Sequence, residues 1–167
     1  MMPNLMAAQY MALVDYLEQE SVPYADPSKT GDILWRSPNN VTQGYNPQGF
    51  VLIGMDGDIA RNVSFQAVSV TYTLGLQLQT AAISAFDCEI DLLSWQELFL
   101  TKILPKLAQQ GITASIAMGN QTIEVSKAFL DLAFEDSKIS IEVKDSGAYG
   151  LLTIDGTFTQ TFDTDIC

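Results

Sequence analysis

The chain has 167 residues, the size of one domain with a single hydrophobic core. Twenty acidic against eight basic residues give a net charge of −12, which excludes a protein that binds the nucleic-acid phosphate backbone through clustered lysine and arginine. Only 17% of residues are charged, below the roughly 25% usual for soluble domains, so we expect a partner or further copies to cover part of the surface. The acidity is either ordinary solubility charge, the plainer interpretation, or a surface that repels passing DNA.

Cysteine usage and hydropathy indicate the compartment. Cys88 and Cys167 are the only cysteines, so no disulfide framework is indicated and a reducing interior suits the chain. The first residues lack the positive segment of a secretion signal, and no apolar run reaches the length of a membrane span. We expect a soluble protein made in the cytoplasm, with no membrane partner.

The first predicted element is an amphipathic helix that begins after Asn4 and ends before Ser21 and Pro23. Its apolar residues recur at three- and four-residue steps and comprise Met6, Tyr10, Leu13, Val14 and Leu17. Packing on a sheet is the expected role of this helix, and docking into a partner's groove is the alternative.

A long irregular loop, rich in proline, glycine, asparagine and serine, is predicted from Val22 to Gln48. Within it, Ile33 to Trp35 form an apolar segment that suits a small strand. Trp35 and Tyr45 are the candidate interface residues, which either tuck under the loop or contact a partner. We expect the loop to be mobile in an isolated subunit and to become ordered on assembly.

The centre of the predicted sheet follows. Phe50 to Gly54 is an apolar run typical of a buried strand, and Asp56 to Asp58 is predicted to be a hairpin turn. From Val63 to Gln79, apolar residues alternate with polar ones, with a slip between Ala67 and Val68 that predicts a β-bulge in one long strand. The uncharged face of this strand would point to water, a lumen or a neighbouring subunit, and consists of Ser64, Gln66, Ser69, Thr71, Thr73, Gln77 and Gln79.

A second helix is predicted after a linker from Thr80 to Glu89. Ser94 and Glu97 form a capping box at its start, Pro105 should kink it, and Gly111 should end it. Its core stripe is Trp95, Leu98, Phe99, Ile103 and Leu107.

Strands are predicted for most of the C-terminal part. A hairpin turns at Gly119 and Asn120, and two further strand candidates cover Ala128 to Phe134 and Ile139 to Val143. Ser126 to Glu135 also fits a short helix, so both alternatives stay open.

The last predicted strand runs from Tyr149 to Phe162, with a bulge or close approach at Gly156. Together the patterns predict one α+β domain, in which a mixed or antiparallel β-sheet carries two main α-helices packed on one face.

No catalytic constellation stands out in the sequence. The chain has no histidine, no phosphate-binding glycine loop and no cysteine pair with metal-ligand spacing. Carboxylate pairs remain as candidates, either Asp87 with Glu89 and Asp91 or Asp163 with Asp165, but no spacing selects them. The sequence therefore predicts no enzymatic activity, no cofactor and no metal site.

The order of elements resembles the tail terminator (tail completion) proteins of long-tailed bacteriophages. The segments that carry the resemblance are NLMAAQYMALVDYLEQE, FVLIGMDGDIARNVSFQAVSVTYTLGLQLQ, LLSWQELFLTKILPKLAQQG and YGLLTIDGTFTQTF. The resemblance implies a virion structural protein, an α/β subunit of a ring that is often a hexamer. Such a ring caps the tail tube, joins it to the head and neck connector proteins, and lets genomic DNA pass through its lumen.

The chain departs from that family pattern in the long Val22 to Gln48 loop and in an additional hairpin after Gly119. These departures leave room for a different neck or baseplate component. The rival from another class is a small-ligand carrier, in which a sheet with helices on one side encloses an apolar pocket.

Overall fold

The computed structural model describes residues 4–36, 49–64 and 67–163. Its elements, in chain order, are α1 (Leu5–Glu18), β1 (Leu34–Arg36), β2 (Phe50–Ser64), β3 (Ala67–Ala82), α2 (Ala85–Leu98), a π-helical turn (Phe99–Ile103), α3 (Leu104–Gln110), β4 (Ile112–Met118), β5 (Gln121–Ala128), β6 (Ala133–Lys144) and β7 (Gly147–Asp163). A five-stranded sheet has the order β1-β2-β3-β7-β6, in which only β1 and β2 are parallel, and β4 pairs with β5 in a separate hairpin. The predicted α+β fold with a mixed sheet is confirmed.

Among the described residues, helices cover one face of the large sheet and no element covers the other. Leu76 and Leu78 in β3 lie opposite Ile154 and Leu152 in β7, and all four are buried in the core. That core also contains the inner sides of α1 and α2. Thr73 and Gln77, which point to the opposite face, are exposed. Both helices therefore pack on one face of the sheet, as predicted.

The centre of the sheet is a hairpin, and the prediction of one strand from Val63 to Gln79 is wrong. β2 ends at Ser64, β3 begins at Ala67, and the two strands are antiparallel. The predicted turn at Asp56 to Asp58 is also wrong, because these residues pair with Thr71 to Thr73 inside the hairpin. The Tyr72 ring packs directly against the backbone of Gly57. A Cβ atom at Gly57 would lie 2.5 Å from this ring, so a larger residue would not fit.

The phase slip near Ala67 therefore accompanies a reversal of the chain and not a bulge within β3. Reversal and bulge both shift the alternation, so periodicity alone does not separate them. The register shifts of this hairpin lie in β2, between Ile59 and Arg61 and between Asn62 and Ser64. Phe65 and Gln66 are outside the described residues.

α2 begins earlier than the sequence pattern suggested. β3 continues to Ala82, so the predicted linker from Thr80 to Glu89 is wrong. The N-cap of α2 is Ser84, whose Oγ accepts a hydrogen bond of 3.3 Å from the Asp87 amide. Ser84 and Asp87 have the spacing of a capping box, which the apolar residues around them obscured.

The predicted kink at Pro105 stays a prediction, but the regular α-helix is interrupted just before this residue. Proline lacks the amide that would continue the α-helical ladder, and the chain widens into the π-helical turn before α3. α3 ends at Gly111, whose φ of 65° lies in the left-handed region that glycine adopts readily. The predicted helix end is thus confirmed.

The C-terminal hairpin turns at Gly119 and Asn120, as predicted. The open alternative at Ser126 to Glu135 resolves into the end of β5, a short turn and the start of β6 at Ala133. β6 then continues unbroken across Glu135 to Ser137, which lie between the two strand candidates, with a register shift between Phe134 and Asp136.

The long final strand is confirmed as β7. The close approach predicted at Gly156 is also present, because a Cβ atom there would lie 3.0 Å from the Ala133 carbonyl oxygen. The register shift in β6, between Phe134 and Asp136, falls opposite this glycine.

Candidate interaction surfaces

The candidate carboxylates of α2 do not form an acid pair. Asp91 is fully buried, and its Oδ1 accepts hydrogen bonds from the Ala25 and Asp26 amides at 2.7 and 2.8 Å. Asp87 instead lies beside the cap residue Ser84, and Glu89 is exposed. Asp91 therefore holds the chain after α1 against α2, which is a structural task.

A lysine completes this arrangement, which we call the Asp91 clamp (Ala25, Asp26, Lys29 and Asp91). Lys29 Nζ lies 3.5 Å from Asp91 Oδ2 and donates to Thr80 Oγ1 at 2.9 Å. Because the ammonium and the backbone amides surround the carboxylate, the buried charge is both paired and hydrogen-bonded.

Residues 22–33 are irregular, as predicted, but they are fixed to the rest of the fold. Trp95 Nε1 donates to the Pro23 carbonyl at 2.9 Å, and the Tyr24 ring contacts both the Trp95 ring and the Lys29 ammonium. These contacts exist within one subunit. Mobility before assembly is therefore not expected for this half of the loop, and residues 37–48 lie outside the described part of the chain.

The two candidate interface residues have different outcomes. Trp35 is half-buried in β1, its Nε1 donates to the Glu20 carbonyl at 3.0 Å, and its ring lies 5.9 Å from that of Phe99. Trp35 thus adopts the tucked position, and a role in contacting a partner stays a prediction for its exposed part. Tyr45 lies outside the described residues.

Within the described ranges, no group of three or more carboxylates and cysteines has the geometry of a metal site. Cys88 is buried, and this burial raises the pKa of its thiol. The side chain of Asp163 and the whole of Asp165, the other candidate acid pair, fall outside what the structure describes.

The uncovered face of the sheet is rich in threonine and glutamine. Thr73 and Gln77 from β3 and Thr159 from β7 are exposed on it, which agrees with the predicted uncharged face. Ser69 departs from the prediction because it is buried.

Two carboxylates face each other on this uncovered face. Asp155 in β7 is the register partner of Asp136 in β6. Neither is within 4.0 Å of a cation in the described residues, and Gly75 provides room beside Asp155, since a Cβ atom there would lie 3.3 Å from Asp155 Oδ1. Like charges directly opposite each other destabilise a sheet, so folding alone gives no reason for this pair.

A second unusual surface is apolar and follows the end of β3. Ile83 is 91% exposed and Phe86, in the first turn of α2, is 68% exposed. We call these two residues the apolar knob. Leu93 continues the exposed side of α2 two turns further on. Exposed large apolar side chains so near in sequence make this surface a candidate interaction site.

A pocket of about 280 Å³ lies between α1, the end of β5 and β7. We call it the Gln9 pocket, and its apolar lining comes from Leu5, Ala128, Phe129, Leu130 and Phe158. Gln9 is 6% exposed and reaches the pocket, and among the described residues its carboxamide has no hydrogen-bond partner.

The backbone beside the Gln9 pocket is strained. Lys127 and Phe129 have φ values of 48° and 69°, a region that side chains with a Cβ atom seldom occupy. This conformation places the Phe129 ring edge-on against Phe158, with 4.9 Å between the centroids. The sequence carried no signal for this pocket, because its walls come from elements far apart in the chain.

The search against protein-family models found no match, and the search of curated proteins found no match either. Among the described residues, no helix is both long enough and apolar enough to cross a membrane.

Proposed function

We propose that this protein is a structural subunit of a bacteriophage virion. In this role it forms a ring, of six copies as in the resembling family, that caps the tail tube and joins it to the neck. Its activity is geometric: it makes repeated contacts between unlike surfaces and needs neither a catalytic group nor a cofactor. After synthesis in the host cytoplasm the subunit would enter the virion.

The observation that carries the proposal is the uncovered face of the sheet. A single domain of this size normally covers both faces of a large sheet or exposes one to water. Here the exposed face combines uncharged threonine and glutamine with Lys138 and with the carboxylates of Asp136 and Asp155, which form no ion pair within the described residues. Such a face suits the lumen of a ring, because carboxylates repel the DNA phosphates and let the polyanion slide without binding.

The apolar knob supports assembly from a different side of the molecule. Phe86 and Ile83 would be unfavourable on a monomer, because burying a large apolar side chain contributes about 1.5–3 kcal/mol. A protein with a net charge of −12 also needs a local apolar contact to overcome the repulsion between its copies.

Negative-stain imaging with purified tail tubes tests this proposal. We expect a cap of density at one end of each tube and none on tubes incubated with an unrelated acidic protein of similar size. Tubes that stay bare at both ends would contradict the terminator role, and binding to a neck or baseplate part instead would place the ring elsewhere in the virion.

Charge reversal tests the DNA path separately. A variant with Asp136→Lys and Asp155→Lys should retain double-stranded DNA in a gel-shift assay at low salt, where wild-type protein does not. If the variant forms rings but does not bind DNA in this assay, the uncovered face does not line the lumen.

A small-ligand carrier is the second candidate, and the Gln9 pocket favours it. Carrier sites are concave and combine apolar surface with polar groups, and this concave pocket is lined by five apolar and six polar or charged residues. A protein that remains monomeric, leaves tubes bare and copurifies with a small molecule would support the carrier over the ring.

A further inference from the structure

We infer that the ring closes by insertion of the apolar knob, Ile83 and Phe86, of one copy into the Gln9 pocket of the next. This inference rests on the proposed ring, and it names the two surfaces that make the contact. A ring needs a head-to-tail contact in which the two surfaces differ, because contact between identical surfaces closes as a dimer.

The knob and the pocket lie at opposite ends of the sheet. Ile83 follows Ala82, which pairs with Ala148 at the start of β7, whereas Phe158 in the pocket pairs with Tyr72. At the usual rise of a strand, the ten residues from Tyr72 to Ala82 span about 33 Å. A contact between these two ends is therefore head-to-tail: each copy uses its knob for one neighbour and its pocket for the other.

The pocket has room for the knob, and five of its eleven lining residues are apolar. The pocket holds about 280 Å³, and an apolar cavity of about 150 Å³ is enough to take up benzene. The Phe86 ring would pack against Leu130, which is 44% exposed at the pocket, and beside the largely buried Phe129 and Phe158 rings, which contact each other edge-on. Leu5 and Ala128 supply the remaining apolar surface.

The polar groups also match. At the start of α2, the Asp87 amide donates to Ser84 Oγ and the Cys88 amide donates to the Ser84 carbonyl. The amides of Ala85 and Phe86 come too early in the helix to have an acceptor within it. These donors flank the knob. Gln9 has an unpartnered carboxamide in the pocket, and its oxygen is an acceptor that an inserted Phe86 would bring close to the two amides.

The pocket lining carries one lysine and two acids, and the lysine offers one ion pair to a second copy. Glu89 is exposed one turn beyond Phe86, and Lys127 is exposed at the pocket. Lys127 has no ion pair in the described residues. Of the two acids that also line the pocket, Glu124 binds Ser115 Oγ at 2.7 Å, and Asp131 is exposed. Lys127 is thus the available partner for Glu89 of a neighbouring copy.

A matched pair of substitutions on α2 tests the inference. Phe86→Ser removes the knob, whereas Leu93→Ser removes an exposed leucine from the same side of the helix, two turns away. We expect Phe86→Ser to raise the concentration at which half of the rings dissociate by at least about tenfold. Leu93→Ser should change that concentration by less than about threefold, because Leu93 lies outside the inserted part.

Cross-linking identifies the occupant of the pocket. In a Cys167→Ser background, Ala85→Cys combined with Ser126→Cys places one thiol beside the knob and one at the pocket. Cys88 is buried and does not compete. A short bis-maleimide should give a ladder from dimer up to the closed ring for the double variant, and monomer for either single variant.

Each other outcome overturns the contact. Dimers from Ala85→Cys alone, or equal weakening by both α2 serine variants, would mean that two α2 helices pack against each other. A cross-link only to added tube subunits would make the tube the occupant. If the wild type forms rings and the Phe86→Ser protein forms rings of equal stability, this contact is wrong but the ring remains. If the wild type is a monomer, the ring itself is wrong.

Discussion

The Asp91 clamp and the uncovered face of the sheet both contain carboxylates, but the carboxylate of the clamp is paired with a cation and those of the face are not, among the described residues. Asp91 is surrounded by two backbone amides and the Lys29 ammonium. Asp136 and Asp155 face each other, and neither forms an ion pair within the described residues. The clamp therefore serves folding, whereas we propose that the charge on the uncovered face acts outside the subunit.

The same contrast separates the two sides of α2. Its inner side buries Trp95 and Leu92 completely, and its outer side exposes Phe86 and Leu93. Folding stability should depend on the inner side and assembly on the outer side. Four substitutions test the contrast between groups that stabilise the fold and groups that do not, and they follow in order of decreasing expected effect.

The largest effect on stability is expected from Trp95→Ala. Trp95 is fully buried and its Nε1 binds the Pro23 carbonyl, so the change should lower the unfolding free energy by about 3–5 kcal/mol. Urea denaturation followed by circular dichroism measures it. Leu93→Ala on the outer side is the control, with an expected change within about 0.5 kcal/mol. An unchanged Trp95→Ala protein would contradict the assignment of the inner side.

Asp91→Ala should lower the unfolding free energy by about 3 kcal/mol, because it leaves the Lys29 ammonium without its buried partner. Limited proteolysis should then cut within residues 22–33 faster than in wild type. Adding Lys29→Met removes the stranded charge and should recover part of the loss. If Asp91→Ala alone is neutral, the clamp does not stabilise the fold.

Asp26→Asn tests the acid limit of the clamp. The backbone hydrogen bond from Ser28 lowers the pKa of Asp26. The contribution of this carboxylate is therefore fully present above the unfolded pKa of about 3.9 and is lost as the pH falls through the lower folded value. The variant should lose about 1 kcal/mol at pH 7 and show a flatter decline in stability below pH 4. An identical decline in both proteins would rule out this contribution.

The smallest change is expected from Asp155→Asn, and its sign is opposite. Removing one of two facing carboxylates should raise the unfolding free energy by about 0.5 kcal/mol at low salt. The difference should shrink at 1 M salt, where screening acts over about 3 Å. Asp145→Asn, an exposed carboxylate in the β6–β7 turn, serves as the control. Destabilisation by Asp155→Asn would indicate a bound partner for that carboxylate.

Much of this fold follows from sequence patterns. The alternation in β7, the apolar period of α1 and the helix end at Gly111 are local, and each was predicted correctly. The hairpin between β2 and β3 was missed because its turn carries no glycine or asparagine signal. The strong turn signal at Asp56 to Asp58 instead reflects the space that Gly57 leaves for Tyr72.

The interaction surfaces were less predictable, because they depend on residues brought together by the fold. Gln9 and Phe158 are far apart in the chain and meet only when α1 packs beside β7. The knob was hidden because Thr80 to Glu89 was assigned to a linker, which removed Phe86 from any helix. Recognising Ser84 and Asp87 as a cap would have placed Phe86 on an exposed first turn.

The mass of the purified protein in solution tests the central claim most directly. Multi-angle light scattering across a range of concentrations should give about six times the 18.3 kDa subunit mass, with a ring visible in negative stain. The ring should persist in moderate salt, because screening weakens the repulsion between acidic subunits while the apolar contact remains. A mass of one subunit at every concentration, with and without tail tubes, would contradict assembly.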